Sequence, residues 1–84
     1  MAIEEKKQLR IGQTVFVVSP IIKLQHGIIK KVGVTPYFNI VQLENETELY
    51  NIPDMYIFEN EMEAYKQAYY YKVLSLSFQK ALYG

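Results

Sequence analysis

The sequence of 84 residues contains no cysteine and a single histidine, His26. The first absence removes disulfides and thiolate metal sites together, and the second leaves no imidazole pair to share a metal. No serine or threonine has an assignable base and no glycine-rich phosphate loop is present, so nucleophilic and nucleotide chemistry both lack their residues. The chain reads as non-enzymatic, with no catalytic residue, no metal and no cofactor. It also lacks any apolar run approaching the roughly 20 residues that span a bilayer. The opening MAIEEKKQLR is charged and is not followed by an apolar stretch of export type. Both features point to a soluble, cytoplasmic protein with no membrane partner.

What is present suits a small globular domain. Half of the residues are hydrophobic and 21% are charged, a balance that favours folding over disorder. A chain this short forms one domain (1–84) and buries somewhat under about two thirds of its unfolded surface, which leaves room for one modest core. The formal charge is zero, but the charges come in blocks. Residues 1–36 carry six basic side chains (Lys6, Lys7, Arg10, Lys23, Lys30, Lys31) against Glu4 and Glu5. Residues 37–63 carry seven acids (Glu44, Glu46, Glu48, Asp54, Glu59, Glu61, Glu63) and no base, and Lys66, Lys72 and Lys80 restore neutrality. Such blocks make opposed solvated faces, or a dipolar surface that steers partners.

Strand signals fill residues 13–58. QTVFVVSP is β-branched and aromatic, with Val15 and Val17 on one side and Phe16 and Val18 on the other, and it stops at Pro20. Pro20 and Gly27, then Gly33 and Pro36, act as loop signals around a second strand, Ile28 to Val32, with Lys30 and Lys31 toward solvent. YFNIVQL forms a third strand and TELYNI a fourth across a polar turn at Glu44 to Glu46. A tight turn at Pro53 and Asp54 precedes a short last strand, Tyr56 to Phe58. Such strands close economically as a small, strongly bent barrel, because closure removes exposed edges. A five-stranded sheet packed on a helix without closing is the alternative, and periodicity does not separate the two.

The stretches IGQTVFVV, HGIIKKV, YFNIVQL and LYNIPDMYIFENEMEA resemble the SH3-like barrels, including KOW-type modules, of small proteins from bacterial phages and mobile elements. The resemblance covers roughly residues 9–68. It implies a mainly β fold with a C-terminal helix, with a five-stranded barrel over 9–58. Barrels of this kind carry many unrelated roles, and the long apolar continuation from Tyr69 onward departs from the pattern.

Asn60, followed three positions later by Glu63, fits a capping box, and Glu61 and Glu63 suit the positive end of a helix dipole. A helix is therefore expected over 60–83. On its wheel Met62, Tyr65, Tyr69, Val73 and Leu76 fall along one stripe, assigned to the domain's own core. Ala64, Ala68, Tyr71, Leu74, Phe78 and Leu82 fall along a second, roughly opposite stripe. A barrel of this size cannot cover both sides of one helix, so Tyr71, Leu74, Phe78 and Leu82 are the expected interface with another protein or with a second copy as a homo-oligomer. A break near Ser75 and Ser77, folding the last residues back over the barrel, is the other reading.

Two functional classes follow. In the first, the chain is a protein-protein interaction module, a phage or mobile-element accessory or inhibitor protein acting on a host protein through the aromatic helix face and the acidic strand-turn surface. In the second, a KOW-like module binds nucleic acid through Lys23, His26, Lys30 and Lys31, with Tyr37 for stacking. The charge balance favours the first, since the acidic block repels phosphates.

Overall fold

A computed structural model of the chain describes residues 7–83, with the side chains of Phe78 and of residues 81–83 outside the description. Five antiparallel strands, β1 (Thr14–Val17), β2 (Gln25–Lys31), β3 (Asn39–Leu43), β4 (Glu48–Ile52) and β5 (Ile57–Phe58), are followed by one helix, α1 (Glu61–Tyr83). The strand order is β4-β3-β2-β1-β5: a meander whose fifth strand returns to pair with the first. β4 and β5 lie at opposite ends of that order, so the sheet is not closed. The chain is an α+β domain, one open antiparallel sheet followed by one long helix.

The core occupies one face of the sheet. Val15 and Val17 of β1, Ile29 of β2, Val41 of β3, Ile52 of β4, Ile57 of β5 and Leu9 of the leading segment are buried together. Their alternation follows the strand period of two, and each fully buried aliphatic side chain contributes about 1.5–3 kcal/mol. The strand assignments hold in kind and shift at their ends. Gly27, read as a loop signal, lies inside β2 opposite Val15 and Leu43. A Cβ there would stand 2.6 Å from the Gln42 carbonyl oxygen and 2.9 Å from Val41 Cγ1, so the residue is glycine because β3 approaches too closely for a side chain. Tyr37 and Phe38 precede β3 and do not belong to it. Lys30 and Lys31 are both exposed, as expected. The reason is a register shift between Ile29 and Lys31, which sets two residues of β2 against one step of β3.

A polar knot that the pattern of apolar residues does not announce ties the sheet to its connections. Asn39 takes the first core-facing position of β3, is fully buried, and donates from Nδ2 to the Ile52 carbonyl (2.8 Å) and to Asp54 Oδ1 (2.6 Å). The Lys7 backbone N–H donates to Asp54 Oδ2 at 2.7 Å, the Asp54 N–H to the Pro36 carbonyl at 2.8 Å, and the Gly33 N–H to Asn39 Oδ1 at 3.1 Å. Asp54 opens a single 3-10 turn (Asp54–Tyr56) that delivers the chain into β5. One buried carboxylate thus joins the leading segment, β3 and the turn before β5, and burial of a charge is tolerated because its oxygens are bonded.

α1 starts where expected, with the Glu63 N–H donating to Asn60 Oδ1 at 3.2 Å. It runs unbroken through Ser75 and Ser77 to Tyr83, so the fold-back reading is not what forms. The 23-residue helix is about 35 Å long at 1.5 Å per residue, yet its main contacts with the sheet are confined to β1 and β5. The radius of gyration, 14.1 Å, exceeds the about 12 Å of a compact chain this long, consistent with a helix that leaves the domain.

Candidate interaction surface

The side of α1 that turns toward the domain is the small one. Ala64 is fully buried and Ala68 half-buried. Tyr71 is half-buried beside the β1–β2 connection, where it lines a groove of about 530 Å³ with Val18, Pro20, Ile21, Leu24 and Ala68. This reverses the assignment of the two stripes. Met62 (64% exposed), Tyr65 (54%), Tyr69 (69%), Val73 (40%) and Leu76 (55%), taken from periodicity as the core face, point to solvent. The physical reason is closeness. The inner face of the sheet is already filled by its own aliphatic side chains, so the helix docks by its backbone against β1 and β5, and only alanine fits between. Periodicity finds two opposite stripes; it does not say which one the sheet will accept.

Of the four residues expected at an interface, Tyr71 belongs in part to the domain and Leu74 is 48% exposed. The side chains of Phe78 and Leu82 lie outside the described residues. Past Tyr71, every described side chain from Lys72 to Lys80 is exposed, including three aliphatic ones, Val73, Leu74 and Leu76.

The residues of the nucleic-acid alternative are split between two places. His26 lies within β2, not in a loop before it, and faces Phe16 across the pair at a ring separation of 5.2 Å. Its Nδ1 stands 2.5 Å from Glu44 Oε1, so one of its two ring nitrogens is engaged by an acid whose charge disfavours a phosphate beside it. Lys23 sits in the connection before β2 and Lys30 and Lys31 at its far end, about 20 Å or more away at roughly 3.3 Å per strand residue. Tyr37 and Phe38 are exposed at that same far end, in edge-to-face contact at 6.5 Å. The acidic turn is partly engaged internally: Glu44 holds His26, and Glu48 accepts from the Tyr50 hydroxyl at 2.5 Å. That bond and the carboxylate's charge raise the Tyr50 phenol above its ordinary value of 10.0.

A second hollow, about 800 Å³, lies beside the leading segment and the start of α1, lined by Lys7, Leu9, Arg10, Phe58, Glu59 and Glu63. Both charge signs line it, so it selects no charge class of ligand. No helix among the described residues is long and apolar enough to cross a membrane. Comparison of the chain with protein-family models, with curated proteins and with solved structures yields no match. The class that the geometry defines is therefore an architectural one, an open antiparallel sheet carrying a projecting apolar helix.

Proposed function

We propose that the chain is a non-enzymatic protein-protein interaction module whose docking element is the projecting part of α1. The observation that carries this reading is that every described side chain from Lys72 to Lys80 is exposed, Val73, Leu74 and Leu76 among them, although the domain has a filled core elsewhere. Exposed apolar stripes of this length mark interaction sites. A free helical segment of about a dozen residues is also marginal in water, so a partner would stabilise the distal part of α1 as well as bury it. The strand order, a meander whose fifth strand returns to pair with the first, supports an SH3-like reading of the sheet. With it comes the role of a small cytoplasmic accessory or inhibitor protein of a phage or mobile element acting on a host protein. The acidic strand-turn surface around Glu44, Glu46 and Glu48 would steer a basic partner.

Light scattering after size exclusion, on the wild type and on the full chain carrying Val73→Glu with Leu76→Glu, two exposed aliphatic residues of the outward stripe, tests the docking role. The variant keeps the wild-type melting temperature and loses association with itself or with a purified target. A variant that associates as the wild type does removes that stripe from the interface.

The nucleic-acid reading keeps one favourable observation, the paired exposure of Lys30 and Lys31 at the sheet end that also exposes Tyr37 and Phe38. Titration with single-stranded and duplex nucleic acid at low and physiological salt decides it. Sub-micromolar affinity at physiological salt that disappears in Lys30→Glu/Lys31→Glu would promote this reading over the first.

A further inference from the structure

The exposed stripe of α1 has a spacing of its own. Met62, Tyr65, Tyr69, Val73 and Leu76 are separated by three, four, four and three residues, a pattern that reads the same in both directions about Tyr69. All five are 40% or more exposed, so the domain leaves much of the seam's surface open to a partner. The first eleven-residue step, Met62 to Val73, spans three turns, close to the natural helical repeat, so a second helix can follow this seam almost straight.

A palindromic seam is self-complementary under a two-fold axis, which is the commonest symmetry of soluble oligomers. Placing that axis at Tyr69, perpendicular to an antiparallel pair, sets Met62 against the partner's Leu76, Tyr65 against the partner's Val73 and Tyr69 against the partner's Tyr69. Charge at the two ends of the helix selects the same direction, whereas Lys66 and Lys72, three residues either side of Tyr69, come near the partner's lysines in either arrangement and select neither. Glu59 and Glu61 are exposed at the start of α1 and Lys80 is exposed near its end. An antiparallel pair brings each Lys80 beside the partner's Glu59 and the partner's Glu61, and opposes the helix dipoles favourably. A parallel pair would stack acid on acid and lysine on lysine. The domain packs mainly against the other side of α1, where Ala64 is buried and Ala68 and Tyr71 line the groove beside the β1–β2 connection; of the seam, Tyr65 borders a hollow with Phe16, Leu24 and His26.

We infer that the occupant of this seam is a second copy of the chain, paired antiparallel through α1 about a two-fold axis at Tyr69. This rests on the reading of α1 as an interaction element and names its partner and register.

The absence of cysteine makes the register directly testable by single thiols. In the full chain under mild oxidation with oxidised glutathione, Tyr69→Cys forms a disulfide-linked dimer. The double variant Met62→Cys/Leu76→Cys does so too, and Met62→Cys alone cross-links at least tenfold more slowly, because its two copies are about 21 Å apart along the axis. These positions are exposed, and circular dichroism checks each fold. Should Tyr69→Cys fail to fold, the double variant reads the same register. In sedimentation equilibrium the wild type is a dimer, and Tyr69→Glu weakens it at least tenfold by opposing two carboxylates on the axis. Efficient cross-linking of Met62→Cys alone shows a parallel pair and overturns the inference. A wild type that stays monomeric into the high micromolar range also overturns it, while leaving α1 as a docking element for a different protein. A dimer that survives both Tyr69→Glu and Val73→Glu/Leu76→Glu overturns this inference and the broader reading together.

Discussion

β1 and the distal part of α1 are both rich in apolar residues, yet Val15 and Val17 are buried and Val73, Leu74 and Leu76 are exposed. The contrast lies in how each element satisfies its backbone. A strand leaves its N–H and C=O groups to be met by neighbours, and β1 is paired on both sides, by β2 and by β5; its side chains are carried into the core by that pairing. A helix closes its hydrogen bonds within itself and can leave the domain without an unpaired peptide group. Apolar content therefore predicts burial well in strands and poorly in a terminal helix, where exposed apolar side chains cost little backbone energy and remain available to a partner.

The sharpest way to break this comparison is at the polar knot of the sheet. Asp54→Ala removes one of the two acceptors of the buried Asn39 amide, which keeps its bond to the Ile52 carbonyl, and the acceptor of the part-buried Lys7 N–H; a group left unsatisfied in a buried site costs about 1–3 kcal/mol. The expected loss of roughly 2–5 kcal/mol lowers the melting temperature of a domain this small by about 10 °C or more. A shift of only a degree or two would show that the knot is dispensable and that aliphatic packing alone holds the sheet.

Next in size is Gly27→Ala. The added methyl meets the Gln42 carbonyl at 2.6 Å, backbone that must move as a strand, and overpacking of this kind costs about 1–3 kcal/mol. Chemical denaturation at constant m-value measures it; an unchanged midpoint would mean that β3 yields freely.

On the helix side the expected stability change is close to nil. Tyr69→Glu with Val73→Glu changes two residues that touch no core, so melting at low protein concentration shifts by less than about 0.5 kcal/mol, the range of ordinary surface substitutions. Unfolding of this variant would restore the stripe to the core and erase the distinction between the two regions.

The smallest effect concerns the strand edge. The Glu48 hydrogen bond and charge raise the Tyr50 phenol, so the fold favours the protonated form. That contribution is complete below the unfolded value of about 10 and is lost as pH rises through the higher folded value. Wild type and Tyr50→Phe should therefore differ more in melting temperature at pH 8 than at pH 11 or above; a gap that does not narrow would show that the bond carries no stability.

Much of this protein is legible without coordinates, and for a local reason. β-branched runs, the turn residues around Asn45 and Pro53, and the Asn60 cap act over a few residues, so the five strands and the start of α1 follow from neighbouring side chains. Other features depended on parts of the chain far apart in sequence. Gly27 is a packing glycine because β3 passes within van der Waals reach, and Asn39 and Asp54 are core residues because they meet across 15 positions. Which stripe of α1 faces inward was likewise decided by the closeness of β1 and β5, which admits Ala64 and excludes Tyr65 and Tyr69. The sequence alone determined that the helix has two apolar faces; only the tertiary structure decided which one is left for a partner, because a wheel records angle and the distance to a neighbouring sheet selects size.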